Sequence, residues 1–401
     1  MLLSRMGVAT ACAGLVLACA TARAADAPGV TATEIKIGGI FPFSGPASGL
    51  GAVGKAIDAY VQSINDRGGI NGRKINYIAL DDAYSPPKAV EHARRLAESD
   101  EVAFIFGQLG TPGLSATAKY WKAKGIPTVG IFSGASKFTN AGEYPLTTTG
   151  IVSYDTEGRI YAKYLNKTLP GAKYAILFQN DDLGKDYVAA FKGFMKGDFD
   201  KRVVTASYEV TEPTVDSQIV NLRSSGAEAL FIAGTPKFAA QAIRKTAEIG
   251  WKPALILNFP SGSISTLKPA GLDKAVGVMV GTINKDPTDP RWEADQGIKD
   301  YRAFFTKYLP GADFENTSYV SGYMQGMILE QLLKQSGNDL SRANIQKQAR
   351  SLKNLELPTA APGVKVATSE VRNMFWANMQ MQRWTGTNWE PFGPVLDDSS
   401  D

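Results

Sequence analysis

The hydrophobic residues of the chain follow two alternating patterns. Short runs of β-branched and aromatic residues, typical of buried strands, are followed by longer stretches with the 3.6-residue period of amphipathic helices. The runs predict strands at 35–41, 73–80, 102–106, 127–132, 173–179, 202–209, 228–233, 254–258 and 276–283. The stretches between them predict helices at 50–66, 86–99, 111–124, 155–167, 184–197, 214–224 and 235–249. This alternation predicts the α/β class, with parallel sheets that carry helices on both faces.

The strands and helices fall into two series of similar size, the first ending near residue 150 and the second beginning near residue 173. In a chain of 401 residues these series predict two doubly wound domains. Such sheets bind ligands outside the carboxyl ends of their strands. Three further helices are predicted at 291–308, 317–336 and 341–350.

The last segment, NMFWANMQMQRWTGTNWEPFGPV, alternates apolar and polar residues on either side of Thr385–Asn388. This alternation around a turn sequence predicts a β-hairpin. We expect its three tryptophans, Trp376, Trp384 and Trp389, to anchor packing rather than to contact a ligand.

The first residues predict export. Arg5 precedes an apolar run at 8–20, and Ala22 and Ala24 form the small-residue site that a signal peptidase cleaves. We therefore expect residues 1–24 to be a removable signal peptide and the protein to be periplasmic. Cys19, in VLAC, is an alternative site for a lipid anchor, which the clean cleavage site disfavours.

Composition excludes several kinds of chemistry. Both cysteines, Cys12 and Cys19, lie in the predicted signal, and the single histidine, His92, lies in a predicted surface helix. The exported chain would therefore have no disulfide, no thiol nucleophile and no Ser-His catalytic pair. The net charge of +4 comes without a basic stripe of the kind that binds nucleic acid. We expect no cofactor, no metal and no enzymatic activity.

Three glycines imitate a dinucleotide site. Gly49, Gly51 and Gly54 have the spacing G-x-G-x-x-G after a predicted strand, and Asp81 and Asp82 end the next strand. In dinucleotide folds, however, the first glycine turns the chain directly after the strand, whereas Gly49 comes eight residues after Phe41. We expect these glycines to let a helix N-terminus approach a neighbouring segment or ligand.

Three loops favour a different ligand. FPFSGPASG (41–49), FGQLGTPG (106–113) and FSGASKF (132–138) each follow a predicted strand of the first series and are rich in Gly, Ser and Thr. Backbone N–H groups near helix starts, with hydroxyls beside them, hold an anion without Lys or Arg. The three loops together predict a carboxylate site, although any one of them is also compatible with ordinary helix capping.

The motifs as a set resemble a known family. The loop SGPASGLG, INDRGGINGRKI (64–75), GTPGLSATAKY, IPTVGIFSGAS, NDDLGKDYVAAFKGF (180–194) and the terminal MQRWTGTNWEPFG are similar to type I periplasmic binding proteins. The branch is that of the leucine/isoleucine/valine-binding proteins of ABC importers, and the resemblance covers residues 33–393.

The resemblance implies two lobes joined by three crossovers, near 150–154, 280–285 and 356–365. The N-terminal lobe would comprise residues 27–152 and 283–358, and the C-terminal lobe residues 153–282 and 359–394. The ligand would lie in the cleft between the lobes, and the lobes would close around it.

The resemblance also implies positions for the ligand contacts. The carboxylate would be held by Thr111, Gly134 and Ser136, while Leu50 and Leu183 occupy positions that carry aromatic residues in many amino-acid binders. The remaining implied ligand contacts are Phe43, Gln108, Ala135, Asp182, Thr235, Phe259 and Ser261.

Two departures from the family pattern bear on the ligand. Ser261 stands where the resemblance implies an acid for the ligand ammonium, and Gly110 stands where it implies a disulfide cysteine. A buried ammonium without an anionic partner costs several kcal/mol, so the pocket should disfavour α-amino acids. We therefore favour a non-α-amino carboxylate, an aromatic acid first and a short aliphatic or keto acid second. Asp181 or Asp182, otherwise helix caps, would keep an amino acid possible as the alternative.

These expectations define a function. The chain is interpreted as the exported, monomeric solute-binding subunit of an ABC importer, which delivers a small carboxylate to permease subunits in the inner membrane. A sensory binding protein of the same fold, which presents its ligand to a receptor, is the rival interpretation.

Overall fold

The computed structural model describes residues 27–397, whose strands form two sheets. The first sheet contains β1 (Glu34–Phe41), β2 (Lys74–Asp81), β3 (Phe104–Phe106), β4 (Thr128–Ile131) and β5 (Thr147–Thr149). The second contains β6 (Tyr174–Gln179), β7 (Val203–Tyr208), β8 (Ala229–Ala233), β9 (Ala254–Leu257), β10 (Met279–Thr282), β11 (Asn378–Trp384) and β12 (Trp389–Asp397). The predicted signal peptide, 1–24, lies outside the described residues.

The order of the strands confirms two doubly wound lobes. The first sheet has the order β2-β1-β3-β4-β5, with every pair parallel. The second has the order β12-β11-β10-β9-β8-β6-β7, parallel from β10 to β7, with the hairpin β11–β12 added antiparallel at the β10 edge. Central strands such as β4 and β8 are buried along their whole length, as parallel strands covered by helices on both faces must be.

Most of the described helices lie close to the predicted ranges. They are α1 (Ala52–Asp66), α2 (Pro86–Arg94), α3 (Thr111–Ala123), α4 (Tyr154–Thr168), α5 (Asp182–Met195), α6 (Phe199–Arg202), α7 (Asp216–Ser224), α8 (Pro236–Glu248), α9 (Ile264–Leu267), α10 (Gln296–Tyr308), α11 (Ser318–Ser336) and α12 (Arg342–Ala349). The four-residue helices α6 and α9 were not predicted. Helix α10 begins later than predicted because Pro290–Trp292 form a separate 3-10 turn, capped by Asp289.

Two of the three motif glycines bring α1 against the end of β1. A Cβ on Gly54 would lie 2.5 Å from the Phe41 ring, and a Cβ on Gly51 would lie 2.6 Å from the Pro42 carbonyl oxygen. A Cβ on Gly49 would meet nothing within 4 Å. Close packing therefore explains Gly51 and Gly54, in agreement with the sequence interpretation, and leaves Gly49 unexplained.

The C-terminal third of the chain contributes to both lobes. Helix α11 packs on α1 in the first lobe, where Cβ atoms on Gly322 and Gly326 would lie 2.4 Å from α1 atoms. The second and third crossovers run side by side, because Asn284 and Ala360 form an antiparallel bridge. Residues 373–375 still pair with β5 of the first sheet, so the third crossover continues beyond the predicted 356–365.

The terminal hairpin forms as predicted. The Trp384 and Trp389 rings pack edge to face across the hairpin, with their centroids 5.6 Å apart, and both side chains are buried. Trp376 is also buried, in the core cluster that spans the two lobes. All three tryptophans therefore pack within the protein, as expected.

Candidate functional site

The carboxyl ends of the two sheets meet across a cleft. Tyr84, in the loop after β2, accepts a hydrogen bond of 3.2 Å from Gln179 Nε2 at the end of β6. At the starts of α3 and α4, the hydroxyls of Thr111 and Tyr154 lie 3.1 Å apart. The edges at which doubly wound sheets bind ligands therefore face each other, with the lobes in contact.

The first-lobe edge presents the start of α3. Gly110, with φ of 112°, turns the chain into the helix and, as a glycine at the N-cap, has no side chain to accept from the first N–H groups, which are those of Thr111 and Gly113 because Pro112 has none. Thr111, the first helical residue, is buried, and its Oγ1 lies 2.8 Å from Ser133 Oγ. This leaves an uncapped helix N-terminus beside two hydroxyls, an arrangement suited to an anion.

The SGAS loop carries three predicted contacts, which differ in their surroundings. A Cβ on Gly134 would lie 2.5 Å from the Val152 carbonyl oxygen, so glycine is needed for the loop to approach the first crossover. Ala135 is fully buried. Ser136 is exposed at the rim, where its N–H and Oγ donate hydrogen bonds of 2.6 and 3.0 Å to the Asp186 carboxylate of the second lobe. Ser136 thus binds a carboxylate, but one that belongs to the protein.

A second polar contact between the lobes lies beside the first. Asp182, at the start of α5, accepts hydrogen bonds of 2.6 Å from Lys137 Nζ and 2.9 Å from Ser115 Oγ. The hydrogen bond from Lys137 lowers the pKa of the Asp182 carboxyl, whereas burial raises the pKa of Asp186. In this closed arrangement Asp182 pairs with a lysine of the opposite lobe. The helix cap is its neighbour Asp181, which accepts from the Leu183 N–H at 2.9 Å.

The second-lobe contacts lie at the ends of β6, β8 and β9. Leu183 and Thr235 are buried, and Phe259 is half-buried. Ser261 is fully buried and donates a hydrogen bond of 2.8 Å to the Gly234 carbonyl oxygen. The Ser261 hydroxyl is therefore satisfied inside its own lobe.

A buried carboxyl lies next to Phe259. Glu157, in the first turn of α4, accepts hydrogen bonds of 2.6 Å from the Tyr161 hydroxyl, the Tyr187 hydroxyl and the Phe259 N–H. Burial raises the pKa of this carboxyl to about 7. The sequence analysis missed Glu157 because an acid in the first turn of a helix is an ordinary favourable position.

The other predicted contacts of the first lobe divide into cleft and core. Phe43 is half-buried beside the Phe41 ring, and Leu50 is buried in the turn that precedes α1. Gln108 is a core residue: its amide donates to Thr117 Oγ1 at 3.1 Å and accepts from Trp121 Nε1 at 3.0 Å. Both polar ends of Gln108 are thus used within the first lobe, beneath α3.

Tyr84 is a cleft residue that the sequence analysis also missed. Its φ of 62° lies in the left-handed region, which is unusual for a tyrosine, and Ala83 before it has φ of 50°. Asp82 Oδ1 accepts from the Tyr84 N–H at 2.8 Å and holds this turn. The sequence signal for this turn was the pair Asp81–Asp82 ahead of the tyrosine. Asp side chains often accept from the backbone N–H two residues later and so stabilise a turn.

Residues 27–397 hold neither a metal-site cluster nor a membrane-spanning helix. The His, Cys, Asp and Glu side chains of this range form no group with the arrangement of a metal site. Each helix in the same range is too short or too polar to cross a membrane.

Two α/β lobes whose strand ends face each other across a cleft define a class of two-lobed ligand-binding proteins. The chain belongs to the periplasmic binding protein family, whose family model matches residues 34–388. The predicted family and fold are thereby confirmed.

Known proteins similar to the chain agree with this assignment. Leu/Ile/Val-binding protein homolog 7 of Brucella abortus (strain 2308) is 24% identical over 383 residues, which cover 92% of this chain and 93% of that protein. A branched chain amino acid ABC transporter structure from Thermus thermophilus with bound valine has a TM-score of 0.82 at 15% identity, covering 92% of this chain and 97% of that one. A fatty acid ABC transporter substrate-binding protein from Thermomonospora curvata has a TM-score of 0.76 at 20% identity, covering 93% and 95%.

Proposed function

We propose that this protein is the periplasmic substrate-binding subunit of an ABC importer. It holds a small carboxylate between its lobes and delivers it, chemically unchanged, to permease subunits in the inner membrane. The observation that supports a carboxylate ligand is the N-terminus of α3. Its N-cap residue is a glycine without a side-chain acceptor, and Thr111, its first residue, lies in the cleft. A ligand carboxylate would accept from these N–H groups and be stabilised by the helix dipole.

The proposed ligand lacks an α-amino group. The Ser261 hydroxyl is uncharged and bonded to Gly234, so this position offers nothing anionic to an ammonium. Phe43, Tyr84 and Tyr154 add aromatic surface at the first-lobe edge and at the start of α4. These features support an aromatic acid as the first candidate, because aromatic rings pack favourably on one another.

A hydrophobic amino acid is the second candidate. Glu157 supports it, because a carboxyl beside Phe259 has the charge that an ammonium needs when it is ionised. The bound valine in the Thermus thermophilus structure is in line with this candidate, and the fatty acid protein is in line with a plain carboxylate.

A thermal-shift screen of the purified protein separates these candidates. The probes are benzoate, cinnamate, hexanoate, a branched keto acid, leucine, isoleucine and valine, each at the same concentration. A tight ligand raises the melting temperature by mass action. We expect an aromatic acid to give the largest shift. A larger shift with leucine than with its keto acid would reject the non-amino carboxylate in favour of a hydrophobic amino acid, and loss of that larger shift in Glu157→Gln would assign the ammonium to Glu157.

A further inference from the structure

Two buried polar atoms at the second-lobe edge have no partner within residues 27–397. They are the Thr235 hydroxyl, after β8, and the Asn258 side-chain nitrogen, after β9. Both residues are buried, with 2% and 0% of their surfaces exposed. Since β8 and β9 are paired neighbours, with Ile232 level with Leu257, the two side chains leave adjacent strands at the edge that faces the first lobe.

The orientation of Asn258 is fixed by its other end. Its Oδ1 accepts from the Gly234 N–H at 3.3 Å, which leaves the Nδ2 group as an unused donor. A buried donor without an acceptor costs on the order of 1–3 kcal/mol, so a ligand oxygen at this place would recover that loss.

Helix α8 adds one further donor at the same place. Thr235 is the residue before its first turn, yet its hydroxyl caps no N–H, and the helix has 13 residues. Pro236 has no N–H, and the N–H groups of Phe238 and Ala239 donate to the Thr235 carbonyl oxygen at 3.1 Å, so the Lys237 N–H is the donor that the first turn leaves for a ligand. The hydroxyl, the amide and the helix start therefore offer hydrogen bonds to the same kind of group, an oxygen acceptor.

A cavity adjoins this corner between the lobes. It has a volume of about 380 Å³, and its first-lobe wall is the loop 46–49. Its second-lobe wall includes Lys237 and Arg244 on α8 and contains no carboxylate side chain. Arg244 also lies 3.9 Å from Glu248, and Lys237 lies over the Phe238 ring, so both cations have neighbours within the helix. Pro236, the residue after Thr235, lines this cavity, which therefore gives room for a ligand that extends past the start of α8 and has a wall without negative charge.

We propose that Thr235 and Asn258, with the start of α8, form a second subsite that binds an oxygen acceptor at the far end of the ligand. The substrate class is therefore a carboxylate with a second oxygen function, such as a ring hydroxyl or a distal carboxylate. The proposal rests on the proposed function for the first carboxylate, and it specifies what the opposite lobe recognises.

Matched pairs of ligands test the subsite on the full exported chain by calorimetry. The pairs are benzoate with 4-hydroxybenzoate, hexanoate with adipate, and phenylalanine with tyrosine. In whichever pair binds, we expect the member with the distal oxygen to bind about tenfold more tightly, the effect of one buried hydrogen bond. Thr235→Val should reduce this preference to less than about threefold, and Thr235→Ser, which keeps the hydroxyl, should retain it.

The stability of the ligand-free variants separates binding from structure. Thr235→Val removes a hydroxyl that makes no hydrogen bond of good geometry within residues 27–397 and lies beside the Tyr208 hydroxyl, which accepts from the Thr235 N–H at 3.2 Å, so the melting temperature without ligand should stay equal or rise. A lower melting temperature, or an equal affinity for both members of a binding pair, would overturn the subsite and leave the carboxylate proposal standing. If no member of any pair binds, both the carboxylate proposal and the subsite are wrong.

Discussion

At the scale of single residues, Glu157 is the least expected group in the cleft region. Its three close partners, Tyr161, Tyr187 and the Phe259 N–H, are all neutral donors. They stabilise the ionised carboxylate, but burial outweighs them and raises the pKa of Glu157 to about 7. A carboxyl with this pKa changes its charge within the neutral range.

The stability of the protein should therefore depend on pH through Glu157. Its pKa is raised from 4.5 in the unfolded chain to about 7 in the folded protein, so stability falls as the pH rises through this window. The contribution amounts to about 3 kcal/mol between pH 4 and pH 8. We expect Glu157→Gln to flatten this dependence in urea denaturation at pH 5, 6, 7 and 8.

An exposed acid provides the control for that measurement. Glu91→Gln on α2 changes the same charge at an exposed position and should leave the pH dependence as it is in the wild type. If Glu157→Gln and Glu91→Gln give the same slope, Glu157 is not the group that titrates.

Single residues mark the limit of what the sequence predicts about the site. Thr111 and the SGAS loop were predicted because Gly, Ser and Thr after a strand favour exposed backbone donors, and their contact with a ligand stays a prediction. Glu157 was missed, and the burial of Gln108 in the first-lobe core was not foreseen, because burial depends on which helix packs above a residue. Helix α5 covers α4 so closely that a Cβ on Gly158 would lie 2.7 Å from Ala190 Cβ, and no local pattern encodes that contact.

At the scale of elements, helix α5 holds the lobes together through one of its faces. Asp182 and Asp186 are four residues apart, and both accept hydrogen bonds from the first lobe. Their donors, Ser115, Ser136 and Lys137, lie on α3 and on the loop after β4. This face, the α5 latch, can form only while the lobes are closed.

Removal of the α5 latch should speed the release of ligand. The Lys137–Asp182 pair is partly exposed and contributes little, whereas the charge-assisted bonds from Ser136 to Asp186 contribute more. We expect the double variant Asp182→Ala with Asp186→Ala to raise the dissociation rate about tenfold in stopped-flow measurements, since it weakens the closed form alone.

An increase in ligand affinity on loss of Asp186 would have a different explanation. If Asp186→Ala alone binds ligand more tightly than the wild type, then Asp186 competes with the ligand carboxylate for Ser136. Asp198→Ala serves as the control. Asp198 pairs with Lys201 at an exposed position of the same lobe, so this variant should change neither the dissociation rate nor the affinity.

The elements themselves were largely predictable. Periodicity and strand composition located the strands and most helices, including the hairpin around Thr385–Asn388. The third crossover was less accessible, because residues 373–375 pair with β5 through backbone hydrogen bonds that leave no side-chain pattern. The role of α5 in closure could not be inferred from its sequence either, because the donors to Asp182 and Asp186 lie on distant segments of the first lobe.

At the scale of the whole molecule, the second lobe depends on the C-terminal hairpin. Strand β11 pairs with β10 from Met279 to Thr282, and Trp384 donates a hydrogen bond to the Leu272 carbonyl oxygen at 3.0 Å. Loss of a buried tryptophan side chain typically costs 3–5 kcal/mol.

A chain that ends after residue 377 should therefore lose the second lobe first. We expect limited proteolysis to cleave this truncated protein within 174–282 while the first sheet remains protected, and we expect ligand binding to be lost. Equal protection of both lobes would show that β11 and β12 are dispensable for folding.

The return of the chain to both lobes has a consequence for how the protein is made. The first lobe lacks α11 until residue 336 has been synthesised, and the second lacks its edge until β12 is complete. Neither half can therefore reach its native state early on the ribosome. Neither lobe can bury its full core until translation is nearly finished, and we expect the last third of the chain to set when the native fold forms.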